Sequence, residues 1–184
     1  MTVQTIQVQF AGIRPLMFDR FSGNQLEQLP TTEKMYLTPE RFLVFPAINL
    51  YSLLVSQNDS VVMRFFGKQG KTVGLGIKSY TAIVPFEIPI LDDNGQIQFT
   101  GWNEQISVHH ATARVKKGTL FIPMPKERPL LALPWHIDFE VQYQENRYCS
   151  LETLRQAFAY GGTLGLGTFR PFFGRYEMTK WEVV

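Results

Sequence analysis

The chain has 184 residues, 45% of them apolar and 14% aromatic, and 18 Lys and Arg against 16 Asp and Glu leave a formal charge of +2. That length suits one domain, or two small halves sharing a core, and the near-neutral total excludes a surface that is one continuous basic field for nucleic acid. Cys149 is the only cysteine, which excludes an intrachain disulfide and fits a reducing cytoplasm.

Met1 to Phe10 alternates as a strand and lacks a basic segment followed by an apolar run, so it does not read as a signal peptide. Without a run of about eighteen uncharged apolar residues, no membrane span is expected. Val3, Ile6, Val8 and Phe10 predict a half-buried strand within Thr2–Ile13, with one slip near Thr5. Phe21–Thr32 reads as a polar loop, and Met35–Phe45 as short strand pieces broken by Pro39. Pro46 opens a predicted helix with Asn49 as its N-cap and Leu50, Leu53 and Leu54 at helical spacing. Four glycines make Phe66–Ile77 a predicted flexible turn. Tyr80–Leu91 reads as a strand kinked at Pro85 and Pro89, followed by the turn Asp92-Asp93-Asn94-Gly95. Gln96–Phe99, Gln105–Val115, Leu120–Pro123 and His136–Tyr143 are further predicted strands, and the last alternates with Ile137, Phe139, Val141 and Tyr143 on one face. Ser150 then caps a helix whose stripe is Leu151, Leu154 and Phe158, with Gly161 at its C′ position, and a final strand runs from Arg175 to Val184.

Two helices, each following strand material and each followed by a glycine-rich turn, predict an α+β fold. The element order suits a single ferredoxin-like (RRM-like) domain over 1–184, or two incomplete ferredoxin-like halves. The expected form is an antiparallel sheet with the two main helices on one face, elaborated β-hairpins and a C-terminal glycine-rich loop.

That loop carries most of the functional signal. Five glycines stand in the fourteen positions 161–174, set among Arg170, Arg175 and the rings of Phe169, Phe172, Phe173 and Tyr176. Donors, positive charge and flat rings suit a polyanion with stackable bases. The alternative is a tight helix-to-strand connection whose aromatics belong to the core. Charge is also unevenly distributed: Arg64, Lys68, Lys71 and Lys78 occur without an acid between them, and Arg114, Lys116, Lys117, Lys126 and Arg128 surround only Glu127. The clusters are compatible with one basic face, or with ordinary solvated loops.

The pattern Gly162-x-x-Gly165-x-Gly167-x-x-Arg170-Pro171-x-x-Gly174-Arg175-Tyr176, placed between a helix and the terminal strand, resembles the glycine-rich loop of the RAMP superfamily. These are the RNA-binding proteins of CRISPR systems, built on ferredoxin-like folds. Elsewhere the resemblance rests on element order, with Arg41–Leu54 as the first strand-to-helix transition, and it extends to a phage- or plasmid-encoded relative. It implies a non-catalytic subunit that grips guide or single-stranded RNA, acting with other subunits of a ribonucleoprotein complex in the cytoplasm. The nucleic-acid-binding residues it implies are Arg64, Lys68, Lys71, Arg114, Lys116, Lys117, Gly165, Gly167, Arg170, Gly174 and Arg175.

The resemblance also raises a second reading, a metal-independent endoribonuclease processing repeat RNA, with His109 or His110 as general acid or base. Adjacent strand residues point to opposite faces, so only one of the two could meet a substrate. A third reading is a structural protein of a phage or mobile element whose aromatic surfaces are interfaces. No metal or cofactor is expected: three histidines and one cysteine lack zinc-ligand spacing, Asp92-Asp93 is a turn, and Gly70-Lys71-Thr72 lacks the upstream glycine of a phosphate loop.

Overall fold

The computed structural model describes residues 2–23, 29–56 and 59–184, and the backbone alone for residues 113–117. In chain order the elements are β1 (Val3–Gly12), β2 (Leu16–Met17), β3 (Val44–Pro46), α1 (Ala47–Val55), α2 (Val61–Phe65), α3 (Gly70–Tyr80), β4 (Thr81–Val84), β5 (Glu87–Asp92), β6 (Gly95–Gln96), β7 (Ile106–Lys117), β8 (Leu120–Leu131), β9 (His136–Gln144), α4 (Leu151–Leu164) and β10 (Tyr176–Val183).

Period-two patterning builds the main sheet. Ile6, Val8 and Phe10 of β1 are buried, and they stand opposite Val141, Phe139 and Ile137 of β9 in an antiparallel register. Directly opposed residues share a face, so the two strands present one apolar surface to the core. The order is β10-β1-β9-β5-β3, with β4 also pairing β9 and β6 pairing β5. Both β1 and β4 run antiparallel to β9, which lies between them, and β9 and β10 stand in the same relation around β1. The helical connections β1–α1–α2–α3–β4 and β9–α4–β10 are therefore two crossovers between parallel strands. That is the ferredoxin-like βαββαβ arrangement, all its neighbouring strands antiparallel.

An elaboration separates β4 from β9. It contains β5, β6 and the β7–β8 hairpin, whose register runs from Ile106 opposite Leu131 to Lys117 opposite Leu120, and β2 joins β8 to complete a second sheet. The helices cover the apolar face, where Leu50, Leu53, Leu54, Ile77, Leu154 and Phe158 meet Phe10, Phe139 and Trp135 in one cluster. Trp135 is buried yet satisfied, its Nε1–H donating to the Arg14 carbonyl at 2.9 Å.

Several local expectations change. Residues 66–77 are not a flexible turn: after a 3-10 turn at Gly67–Gln69 they form most of α3. Gly70 and Gly76 serve close packing, since a Cβ on Gly76 would stand 2.6 Å from Cys149 Cβ, whereas Gly67 supplies the positive φ of the 3-10 turn. The helix that Pro46 precedes begins at Ala47, so Asn49 lies in its first turn and caps nothing, while Leu50, Leu53 and Leu54 are buried as expected. The strand read through Tyr80–Leu91 is two strands broken at Pro85, the Gln96–Phe99 strand is reduced to Gly95–Gln96, and Leu120–Pro123 extends to Leu131. Ser150 does cap α4, its Oγ accepting from the Thr153 N–H at 3.1 Å. Gly161 is not the C′ residue, however: the helix continues to Leu164 and Gly165 ends it. Among the described residues no helix is long and apolar enough to cross a membrane.

Gly161 and Gly162 lie where α4 crosses Tyr176, and a Cβ on Gly162 would overlap the Tyr176 carbonyl oxygen. We expect Gly162→Ala to destabilise the fold by about 1–3 kcal/mol through forced separation. Phe158→Ala should cost about 3–5 kcal/mol by leaving a cavity among Phe10, Phe139 and Trp181. Urea unfolding measures both. The Cys149 thiol is buried and pushed up to about 11 by desolvation, so iodoacetamide at neutral pH should label it only after unfolding.

Candidate nucleic-acid interface

The loop from Gly165 to Arg175 folds back onto β2 and onto itself. Thr168 N–H donates to the Met17 carbonyl at 3.1 Å, Gly174 N–H to Pro15 at 2.7 Å and Leu166 N–H to Gly174 at 2.8 Å. Gly167 has φ of +71°, and a Cβ there would run into the Met17 carbonyl oxygen. It is thus glycine for two reasons, backbone handedness and lack of room. Gly165 and Gly174 also have positive φ and press on loop backbone. At Gly165, Gly167 and Gly174, which the resemblance implies as nucleic-acid-binding, the protein's own backbone occupies the space that each glycine leaves.

The loop nevertheless forms one wall of a cleft of about 290 Å³. Leu166, Gly167, Thr168 and Arg170 contribute from the loop, Asn49, Ser52 and Leu53 from α1 with Ser56 just past its end, and Phe18, Asp19, Phe21, Tyr36 and Phe45 from the remaining side. Arg170 is solvent-exposed as a residue, but its guanidinium lies close enough to protein that desolvation lowers its pKa; Asp59 opposes that shift and Arg64 reinforces it. Arg64 and Arg170 are thus electrostatic neighbours, and Arg64 Nη2 donates to Asp59 Oδ1 at 2.9 Å. Ser56 also lines an adjoining groove of about 330 Å³ with Gly70, Lys71, Gly74 and Lys78. Ser56 is thus a wall residue of both depressions, one beside the glycine-rich loop and one on the basic side of α3. Lys68, in the 3-10 turn before α3, is exposed.

Behind the cleft lies a charged cluster for which the sequence offered no pattern. Arg128 is 6% exposed, donates from Nε to Asp19 Oδ2 at 2.7 Å, and has its guanidinium carbon 4.6 Å from the centre of the Phe169 ring. Lys34 is also buried and donates from Nζ to the Glu127 carbonyl at 2.6 Å; burial lowers its pKa and Asp19 opposes the shift. Arg128 appeared in the sequence only as one more charge in a basic run, and Asp19 and Lys34 carried no signal at all. Their juxtaposition comes from β8 passing beside β2.

The other site residues divide. Arg175 is half-buried, its carbonyl accepts from the Ile13 and Arg14 N–H groups, and its Nε is buried without an acceptor among the described residues. The side chains of Arg114, Lys116 and Lys117 lie outside the described residues; their backbone is in the outer part of β7. His109 and His110 take opposite sides of β7: His109 packs against the Phe173 ring at 5.5 Å, and His110 Nδ1 is 3.5 Å from Glu127 Oε1. Both partners of that pair are largely exposed, so it contributes little. Among the described residues, no three His, Cys, Asp or Glu side chains gather as a metal site would require. The outward face of the main sheet, where an RRM-like protein would stack bases, instead carries Gln7, Gln9, Asp138, Glu140 and Lys180 around a concavity of about 600 Å³.

No protein-family model matches this chain, and no curated protein matches it. Among solved structures it is similar to a chain of the cryo-EM structure of the Type III-B Cmr-beta bound to cognate target RNA. The TM-score is 0.61 at 12% identity, over 99% of this chain and 61% of the length of that one. The likeness shows the shared ferredoxin-like fold.

The geometry separates scaffold from available surface. Gly167→Ala should lower stability by about 1–3 kcal/mol, from strain and overlap. Arg170→Ala should change it by less than about 0.5 kcal/mol, as surface substitutions usually do. Thermal and urea unfolding of the two variants check this.

Proposed function

We propose that this protein is a non-catalytic RNA-binding subunit of a CRISPR-type ribonucleoprotein complex, related to the RAMP superfamily. It grips guide or single-stranded RNA by its sugar-phosphate backbone. The single observation that carries this reading is the pair of depressions that share Ser56, the glycine-rich loop and Arg170 lining one and Lys71 and Lys78 the other, with Arg64 among the charges that act on Arg170. Arginine binds phosphate in a bidentate manner and lysine supplies point charge, so a strand crossing both depressions meets cations along its length. The similar structure is of a complex bound to cognate target RNA, which agrees with the same class of ligand. A total charge of only +2 suits a subunit whose affinity is completed by its assembly. Lys68, Arg114, Lys116, Lys117 and Arg175 extend the proposed contact set.

A second reading, endoribonucleolytic cleavage, draws on His109 lying against Phe173 of the loop. It requires repeat RNA to be cut by the wild type and left intact by His109→Ala. We expect no cleavage from either protein.

Affinity carried by phosphate contacts is salt-dependent and indifferent to sequence. Arg64→Ala, Lys71→Ala and Arg170→Ala should each weaken binding of labelled single-stranded RNA, uniformly across sequences. Each should also lower the slope of log affinity against log salt by about one. Fluorescence anisotropy at several salt concentrations reads both effects. Wild-type affinity in the Arg64→Ala, Arg170→Ala double variant would place the function elsewhere.

A further inference from the structure

Among the described residues lining the cleft beside the glycine-rich loop, the one carboxylate is Asp19. Negative charge in the wall of a groove meant for a polyanion is unfavourable unless it has a task there. Its own charge is compensated from behind. Arg128 Nε donates to Oδ2 at 2.7 Å, and the buried Lys34 ammonium adds a second cation close enough to feel Asp19. Around these stand Lys126 and Glu127, which offset each other. Two buried cations for one carboxylate leave the cluster net positive, so Asp19 does not repel a nearby phosphate as a lone acid would. Its second oxygen, Oδ1, has no donor among the described residues, although its side chain is 23% exposed and borders the cleft.

An acceptor held by a buried arginine, on a side chain that borders the cleft, suits a neutral hydroxyl donor. On a nucleic-acid strand, the hydroxyl that recurs at every nucleotide is the ribose 2′-hydroxyl, and DNA lacks it. Arg170 on the same cleft supplies the phosphate contact, and Tyr36 and Phe21 supply flat apolar wall. About 290 Å³ lies at the lower bound of the roughly 300–1,000 Å³ typical of small-ligand clefts, room for one nucleotide. We propose that Asp19 accepts a hydrogen bond from a ribose 2′-hydroxyl of the bound strand, so that this cleft distinguishes RNA from DNA. The inference rests on the RNA-binding reading above and deepens it: Arg170 holds the backbone and Asp19 reads the sugar. Were Asp19 only the counterion of Arg128, its loss would weaken both polymers alike.

The test compares three labelled strands of one sequence by fluorescence anisotropy: RNA, DNA, and RNA with 2′-fluoro in place of 2′-hydroxyl, which keeps the sugar's shape but cannot donate. Wild-type protein should bind RNA about tenfold more tightly than either other strand, the value of one hydrogen bond to a charged group. In Asp19→Asn, Arg128 draws the amide oxygen to itself and leaves an NH₂ where the acceptor stood. The preference should then fall below about threefold, through weaker RNA binding with DNA binding unchanged. Equal wild-type affinity for the three strands overturns the proposal and leaves RNA binding standing, as does an Asp19→Asn protein that keeps the wild-type preference. Should thermal melting show that Asp19→Asn does not fold, the 2′-fluoro comparison on the wild type decides alone. Failure of the wild type to bind any strand overturns the RNA-binding reading, and this proposal with it.

Discussion

The architecture depends on how closely α4 approaches β10. Tyr176 starts the last strand, stacks on Phe10 with ring centres 3.9 Å apart, and donates its hydroxyl to the Phe158 carbonyl at 2.8 Å. The helix passes above it at Gly161 and Gly162, where any side chain would collide with the tyrosine. This contact joins both crossovers, because Phe10 belongs to β1 and Leu53 of α1 also lies close to Gly161. It also determines where the glycine-rich loop begins. With the helix free to continue to Leu164, the chain leaves it beside β2 rather than at the sheet's edge, and the cleft exists because of that displacement.

Much of the fold was legible in the sequence because its elements obey simple periods. The alternation in β1 and β9, the Ser150 cap and the stripe of α4 each have a local cause, and each appears where expected. The glycines were misread wherever their cause was tertiary. Gly70, Gly74 and Gly76 suggested a turn, but they lie in α3, where the Val62 backbone and Cys149 leave no room for a side chain at Gly70 and Gly76. Gly161 suggested a helix end for the same reason. A glycine needed for close packing and one needed for a positive φ are the same letter, and only the neighbour across the interface distinguishes them.

The candidate site was legible in part. Arg170 and the basic run from Arg64 to Lys78 stood out as charges, and the structure puts Arg170 on one depression and Lys71 and Lys78 on another, with Ser56 in the wall of both. The Asp19–Arg128–Lys34 cluster was hidden, since its members are separated by as many as 109 positions and each resembles an ordinary surface charge. Burial makes the cluster informative: paired groups taken out of water must satisfy one another, yet among the described residues Arg128 Nη1 is buried without a hydrogen-bond partner and Asp19 Oδ1 has no donor. The polar outer face of the sheet points the same way by contrast. With glutamines and acids instead of rings, it directs the nucleic-acid reading away from an RRM-like platform and toward the loop.

The position of β10 has a consequence for how this chain meets its neighbours. Among the described residues it pairs only with β1, so it forms one border of the main sheet. Exposed borders invite other chains to add strands and aggregate. Glu177, Lys180 and Glu182 are exposed along it, and Lys180 is tied to Gln7 and Glu182. A border so charged resists fusion with the sheet of another chain.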